Sequence, residues 1–163
     1  MIRELDPVTD RAAVEALFLV AADYIALETG LPVDGTQAAD FFADAPPGID
    51  PATSLRLGLF GPAGRLEGLA EVAFGYPAAG DAYIGLMLFA ATARGTGHGA
   101  RLLRGIEDRA RQRGATRLLL AVLEANPKGR AFWQREGFAV EQSFPVAEMG
   151  LRRHIRHRMM KPL

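Results

Sequence analysis

The segment Arg94-Gly95-Thr96-Gly97-His98-Gly99 separates two stretches of opposite character. Before it, Ala82 to Ala90 is apolar throughout, as a strand buried on both faces should be. After it, Ala100, Leu103, Ile106 and Ala110 recur on one helical face while Arg101, Arg104, Asp108, Arg111 and Arg113 fill the other, and Gly114 ends the pattern. Arg117 to Leu123 is a second apolar run, fenced by Gly114 and Pro127, and its shortness favours a strand over the helix that its leucines would prefer. Strand, glycine turn, helix, strand is a βαβ unit, so the two strands lie parallel and the crossover is right-handed.

Such a turn exposes the first N–H groups of a helix, where the helix dipole adds partial positive charge. Phosphate is the natural occupant, and glycine is needed because a Cβ would hold its oxygens away from the backbone. Arg94 adds charge at the rim. A P-loop would require a lysine after the glycines, and none follows. Gly95-Thr96-Gly97-His98-Gly99-Ala100 does satisfy the dinucleotide fingerprint, so a dinucleotide-dependent oxidoreductase is one alternative. Against it, Ala90 to Arg94 intervene between strand and first glycine. No acidic residue sits at the end of the next strand for a ribose, Glu124 coming too late, and too little chain follows for the remaining parallel strands.

Elsewhere, Asp6-Pro7 is the expected start of a helix that runs to Glu28, with Val14, Leu17, Ala21 and Tyr24 on its apolar face. Leu31 to Ser54 is a proline- and glycine-rich loop containing a short helix over Ala38 to Ala43. Leu55–Phe60 and Leu66–Phe74 form an antiparallel hairpin about Gly61-Pro62-Ala63-Gly64. Asn126 to Glu136 is a short helix closed by Gly137, and Phe138–Phe144 and Ile155–Met160 are the final strands.

Composition sets the outer limits. A chain of 163 residues, 49% hydrophobic and 23% charged, suits one domain, residues 1–163, with a sizeable core. It has no cysteine, hence no acyl-cysteine intermediate and no thiolate metal site, which fits a reducing compartment. The start of the chain lacks the pattern of a signal peptide and no apolar run is long enough to span a membrane, so a cytoplasmic protein without membrane or nucleic-acid partners is expected. Net charge is zero, but residues 1–50 carry two arginines against ten carboxylates, whereas residues 94–117 carry seven arginines against two. His154 and His157, at i and i+3 on a strand, should face opposite sides, which argues against a joint metal site. Their arginine-rich surroundings suggest an exposed edge strand.

Arg94-x-x-Gly97-x-Gly99 resembles the acyl-coenzyme A signature of the GNAT acetyltransferase superfamily. Val122, Asn126, Phe132-Trp133 and Gly137-Phe138 follow in that family's order and spacing. The resemblance implies a mixed α/β (α+β) fold, with a mostly antiparallel central sheet of six to seven strands flanked by helices. Its one parallel βαβ unit splays to bind the cofactor. It implies N-acetyl transfer from acetyl-coenzyme A to a primary amine of a small molecule or peptide, within a ternary complex. Cofactor contacts would come from Arg94, Gly95, Thr96, Gly97, His98, Gly99 and Ala100 around the pyrophosphate, from the backbone of Leu88 and Phe89 along the pantetheine, and from Asn126 and Trp133. Asn126 is equally suited to capping the helix after it, and His98 is expected either to touch ligand or to be exposed. Glu71 matches a position often used as general base. Tyrosine, the usual acid, is replaced by Trp133, leaving Tyr83, Tyr24 or solvent for that role. A non-catalytic acyl-coenzyme A-binding module is a further alternative, and a homodimer stays open.

Overall fold

The computed structural model describes residues 1–163. Its strands are β1 (Ile2–Glu4), β2 (Leu55–Phe60), β3 (Leu66–Phe74), β4 (Asp81–Phe89), β5 (Arg117–Leu123), β6 (Ala139–Met149) and β7 (Arg152–Pro162). They form one sheet in the order β1-β2-β3-β4-β5-β7-β6, antiparallel at every pair except β4 and β5. The expected mixed, mostly antiparallel sheet is what forms, and the parallel sheet of a dinucleotide fold does not.

Helices α1 (Arg11–Val20), α2 (Ala22–Thr29) and α3 (Thr36–Ala43) cover one face, while α4 (His98–Gln112) and α5 (Pro127–Arg135) cover the other. Each face has its own core. Leu102, Leu103, Ile106 and Ala110 of α4 pack on Leu57, Ala70, Ile84, Leu118 and Leu120. Val14, Leu17, Phe18, Ile25 and Phe41 pack on Leu69 and Leu88 from the opposite side. The 3.6-residue period of α4 and the two-residue period of the strands therefore meet across the central sheet.

The helix expected from Asp6 to Glu28 is corrected in two places. Asp6 caps a turn instead: its Oδ1 accepts from the N–H groups of Val8 and Thr9, both at 2.8 Å, and α1 begins only at Arg11. The chain then breaks at Ala21 (φ −117°, ψ 19°), and α2 sets off in a new direction that brings Asp23, Tyr24 and Leu27 to a cleft in the sheet. Asp10 fastens this region to β1, because both its oxygens take the Arg3 guanidinium, at 2.7 and 2.8 Å. That pairing holds the Asp10 carboxyl down at about 2. A depressed carboxylate contributes stability above its unfolded value, and the contribution disappears as pH falls through about 2. Asp10→Asn is expected to cost about 1 kcal/mol at neutral pH, with the difference from wild type vanishing near pH 2, as urea unfolding at the two pH values would show.

The arginine-rich segment is not an edge strand. The turn at Gly150-Leu151 sends β7 back between β5 and β6, so β6 is the outer strand. His154 and His157 are consequently buried. They point to opposite faces as alternation requires: His154 Nε2 donates to the Glu28 carbonyl at 2.7 Å, while His157 Nδ1 shares a 2.7 Å hydrogen bond with Ser143 Oγ.

Candidate active site

Strands β4 and β5 pair only from Asp81–Arg117 to Ile84–Leu120. Beyond that point β4 stays with β3 and β5 stays with β7, so the two parallel strands part. The cause lies at Gly85. Glu71 registers with Leu86 but its neighbour Val72 registers with Ile84, leaving Gly85 as an extra residue that forms a bulge in β4. The apolar run is therefore buried on both faces only in its first half, and Gly85–Met87 and Phe89 are partly open to a cleft of about 740 Å³ between the strands. An isolated glycine in an apolar strand is the one sign of this bulge in the sequence, and the expectation of an unbroken buried strand overlooks it.

At one end of the cleft is the glycine turn. Gly95 (φ 73°) and Gly97 (φ 85°) are left-handed, and a Cβ at either would meet no protein atom within 4 Å. The N–H groups of Gly95, Thr96, Gly97, His98, Gly99 and Ala100 donate to no group of the protein, and α4 has no side-chain cap. Arg94 is different. Its own N–H reaches the Ala91 carbonyl at 3.4 Å, and its guanidinium is held by Asp23 of α2 (Nη2 to Oδ1, 2.9 Å) and by the Phe89 carbonyl (3.1 and 3.3 Å). Asp23 stands in the acidic first third of the chain, and no spacing in the sequence links it to Arg94. His98 is neither open nor free, because its Nε2 shares a 3.0 Å hydrogen bond with Glu67 Oε2.

The remaining candidates also line the cleft. Leu88 turns its side chain into the core under α1 and α2, and Phe89 packs toward the α4 side. Because Ala90 N–H donates to the Glu67 carbonyl, alternation turns the backbone of Leu88 toward Leu69 of β3 and leaves that of Met87 and Phe89 along the open edge, the Phe89 carbonyl being the one that holds Arg94. Asn126 caps α5, its Oδ1 accepting from Gly129 N–H at 3.0 Å. Trp133 is buried against Phe132 and Phe138 in edge-to-face contacts at 4.9 and 5.2 Å.

Glu71 stands apart from these, on the α1–α3 face of β3. It is 7% exposed, and its Oε1 has no hydrogen-bond partner. Burial pushes its carboxyl above the ordinary glutamate range despite the nearby Arg56 charge. It borders a second cavity, of about 470 Å³, shared with Glu28, Asp40, Asp44, Tyr24, Tyr76, Tyr83 and Gly85. Tyr24 and Gly85 line both spaces, so cavity and cleft meet there. Burial raises the hydroxyls of Tyr24 and Tyr83, and the charge of Glu28 adds to the effect at Tyr24. A Cβ at Gly85 would lie 2.3 Å from Glu71 Oε2. Gly85→Ala is accordingly expected to displace the carboxylate and cost about 1–3 kcal/mol, measurable by denaturant unfolding.

Comparison with known proteins bears on this geometry. The sequence pattern of the acetyltransferase (GNAT) family matches residues 37–138. Similar folds include a ribosomal-protein-alanine N-acetyltransferase from Brucella melitensis, with TM-score 0.78 and 20% identity, over 100% of this chain and 99% of that one. An acetyltransferase from Thermus thermophilus gives 0.76 and 22%, over 100% and 96%. A GCN5-related N-acetyltransferase from Kribbella flavida gives 0.72 and 24%, over 100% and 97%. No curated protein matches the sequence. The family pattern covers well over half of the chain and contains both the bulged strand and the glycine turn, and on that ground the protein belongs to the GNAT acetyltransferase family.

Proposed function

We propose that residues 1–163 act as one acetyltransferase domain that transfers an acyl group, acetyl in the first instance, from coenzyme A to a primary amine, directly between the two bound substrates. The cytoplasm is the expected setting. The observation that carries this reading is the run of six unpartnered N–H groups from Gly95 to Ala100 at the mouth of the cleft opened by the Gly85 bulge. Backbone donors left without acceptors at a helix N-terminus, where the dipole adds partial positive charge, suit a diphosphate. The left-handed glycines leave room for it, since no protein atom fills the space a Cβ would take. The residues present therefore fit coenzyme A.

In this assignment Gly95 to Ala100 hold the diphosphate. The open edge of β4 around Leu88, at the backbone of Met87 and the N–H of Phe89, offers hydrogen bonds to the pantetheine arm, and Asn126 and Trp133 close the opposite wall. Arg94 adds charge to the seat once Asp23 yields it. When bound, the thioester supplies an acyl carbon open to attack by a neutral amine, with sulfur as the leaving group. The chain's own task is proton management. An ammonium has no lone pair, and Glu71, whose burial raises its carboxyl above the ordinary glutamate range, is placed to take its proton. One further proton from the amine nitrogen must end on the departing sulfur. Tyr24, where cavity and cleft meet, is better placed to carry it than Trp133, whose indole is no acid.

A thiol-release assay with acetyl-coenzyme A and a panel of primary amines tests the proposal. Release that depends on the amine supports it. Tight coenzyme A binding with no release across the panel would point to a non-catalytic binding module.

A further inference from the structure

Two cations on the acceptor side of the sheet have no hydrogen-bond or ion-pair partner. Arg156 and Arg158 lie at alternate positions of β7, opposite Leu123 and Ala121 of β5. Their neighbour Met159 is buried in the core beneath α4, so the two arginines project to the other face, as does His154, which reaches α2. Both are half-buried, neither makes a hydrogen bond or ion pair, and the Nε of each is buried without an acceptor. Arg94 is satisfied by Asp23, Arg56 by the carbonyls of Phe41, Asp44 and Pro51, and Arg117 by Asp81 and Glu141, while Arg135, on the far wall of the cleft, lies 6.0 Å from the Phe132 ring. A buried guanidinium Nε with no acceptor carries a desolvation cost, which a ligand oxyanion would offset.

Aromatic rings fix where these cations sit. The guanidinium carbons of Arg156 and Arg158 lie 5.4 and 5.1 Å from the centroid of Phe144, and that of Arg158 lies 6.0 Å from Tyr76. Tyr76 meets Tyr83 edge-to-face at 5.2 Å, and both tyrosines line the cavity that Glu28, Asp40, Asp44 and Glu71 also border. No lysine or arginine lines that cavity. Beyond its tyrosine wall, Ala121, opposite Arg158, is exposed to the cleft. Carboxylates on one side and free guanidinium groups on the other make a region of two signs, with Glu71 at the negative end.

We propose that the acceptor is an amine carrying its own anionic group, a carboxylate or a phosphonate-like oxyanion, held by Arg156 and Arg158 while the amine faces Glu71. This rests on the acyl-transfer function proposed above. A fork of N–H donors matches planar or tetrahedral oxyanions in a way an ammonium point charge does not. A diamine, which the carboxylates alone would attract, would set its second charge against the arginines.

The test compares ω-amino acids of two to six carbons and 3-aminopropylphosphonate with butylamine and 1,4-diaminobutane. At least one anionic probe should exceed butylamine by about tenfold or more in kcat/KM, and Arg158→Gln or Arg156→Gln should remove most of that margin. Coenzyme A affinity should stay within about twofold in both variants, and Arg158→Lys, which keeps the charge but not the fork, should fall between. Preference for the phosphonate over the carboxylates would identify the oxyanion. Equal or better turnover of butylamine or the diamine would overturn the proposal while leaving acyl transfer intact. If no probe is acetylated, calorimetric titration of the coenzyme A-loaded protein decides: binding of an anionic probe that is lost in Arg158→Gln supports the proposal, and absence of binding overturns it. If coenzyme A itself does not bind, the proposed function falls, and the same titration on the free protein decides this inference alone.

Discussion

Gly97→Glu is expected to weaken coenzyme A binding by about a thousandfold while the protein still folds. Two like charges about 4 Å apart at an effective dielectric near 20 repel by about 4 kcal/mol, which is roughly three decades of affinity. The backbone cost is smaller. Gly97 has φ 85°, and placing an L-residue there costs about 1–2 kcal/mol, well below the stability of an ordinary domain. Nothing in the protein opposes the side chain itself, because no atom lies within 4 Å of the Cβ position. Gly97→Ala separates the two effects: it carries the backbone strain without the charge, and should show the same thermal shift with only a few-fold loss of affinity. Calorimetric titration and thermal melting of the pair make the comparison, and unchanged coenzyme A affinity in Gly97→Glu would remove the site assignment.

Glu71→Gln is expected to lower kcat by about two to four decades with little effect on coenzyme A affinity, the range typical of losing a positioned base. Its pH signature is more specific than its size. Burial raises the Glu71 carboxyl, so the active, ionised form appears only above the ordinary glutamate range near 4.3. In wild type the rate should fall as pH drops through that raised value, and in the glutamine variant this limb should be absent. Stability moves the other way. A carboxyl whose folded pKa exceeds its unfolded value contributes stability below the unfolded pKa and loses it as pH rises through the folded one. Glu71→Gln should therefore melt higher than wild type near pH 8 and equal to it near pH 4. Such a gain is the mark of a charge kept at a cost to stability for function. A variant with wild-type kcat and an unchanged acid limb would acquit Glu71.

Much of this architecture was legible in residue patterns because those patterns are local. The period of α4 and the hairpin about Gly61–Gly64 follow from near neighbours, the parallel unit around the glycine turn joins elements consecutive along the chain, and each formed as expected. What escaped was set by distant partners. Ala21 breaks a helix whose apolar spacing runs on without interruption, and no turn residue marks the spot. The Arg152–Arg158 run looks like an edge because its charges suggest solvent, yet pairing with β5 on one side and β6 on the other makes it an inner strand. The cleft residues divide the same way. Gly95, Gly97 and Gly99 declare their turn in sequence, whereas the bond from Asp23 to Arg94 spans 71 positions and the burial of Glu71 depends on the helices folded over it.

Everything proposed for the cleft depends on the free N–H groups from Gly95 to Ala100 seating the diphosphate. Titration of the ¹⁵N-labelled protein with coenzyme A, followed by amide NMR, observes those donors one by one. The amides of Gly95 through Ala100 should move first and furthest, accompanied by those of Gly85 to Phe89 along the opened strand, and NADH at the same concentrations should leave them in place. Shifts confined to other parts of the molecule, or an equal response to NADH, would contradict the account.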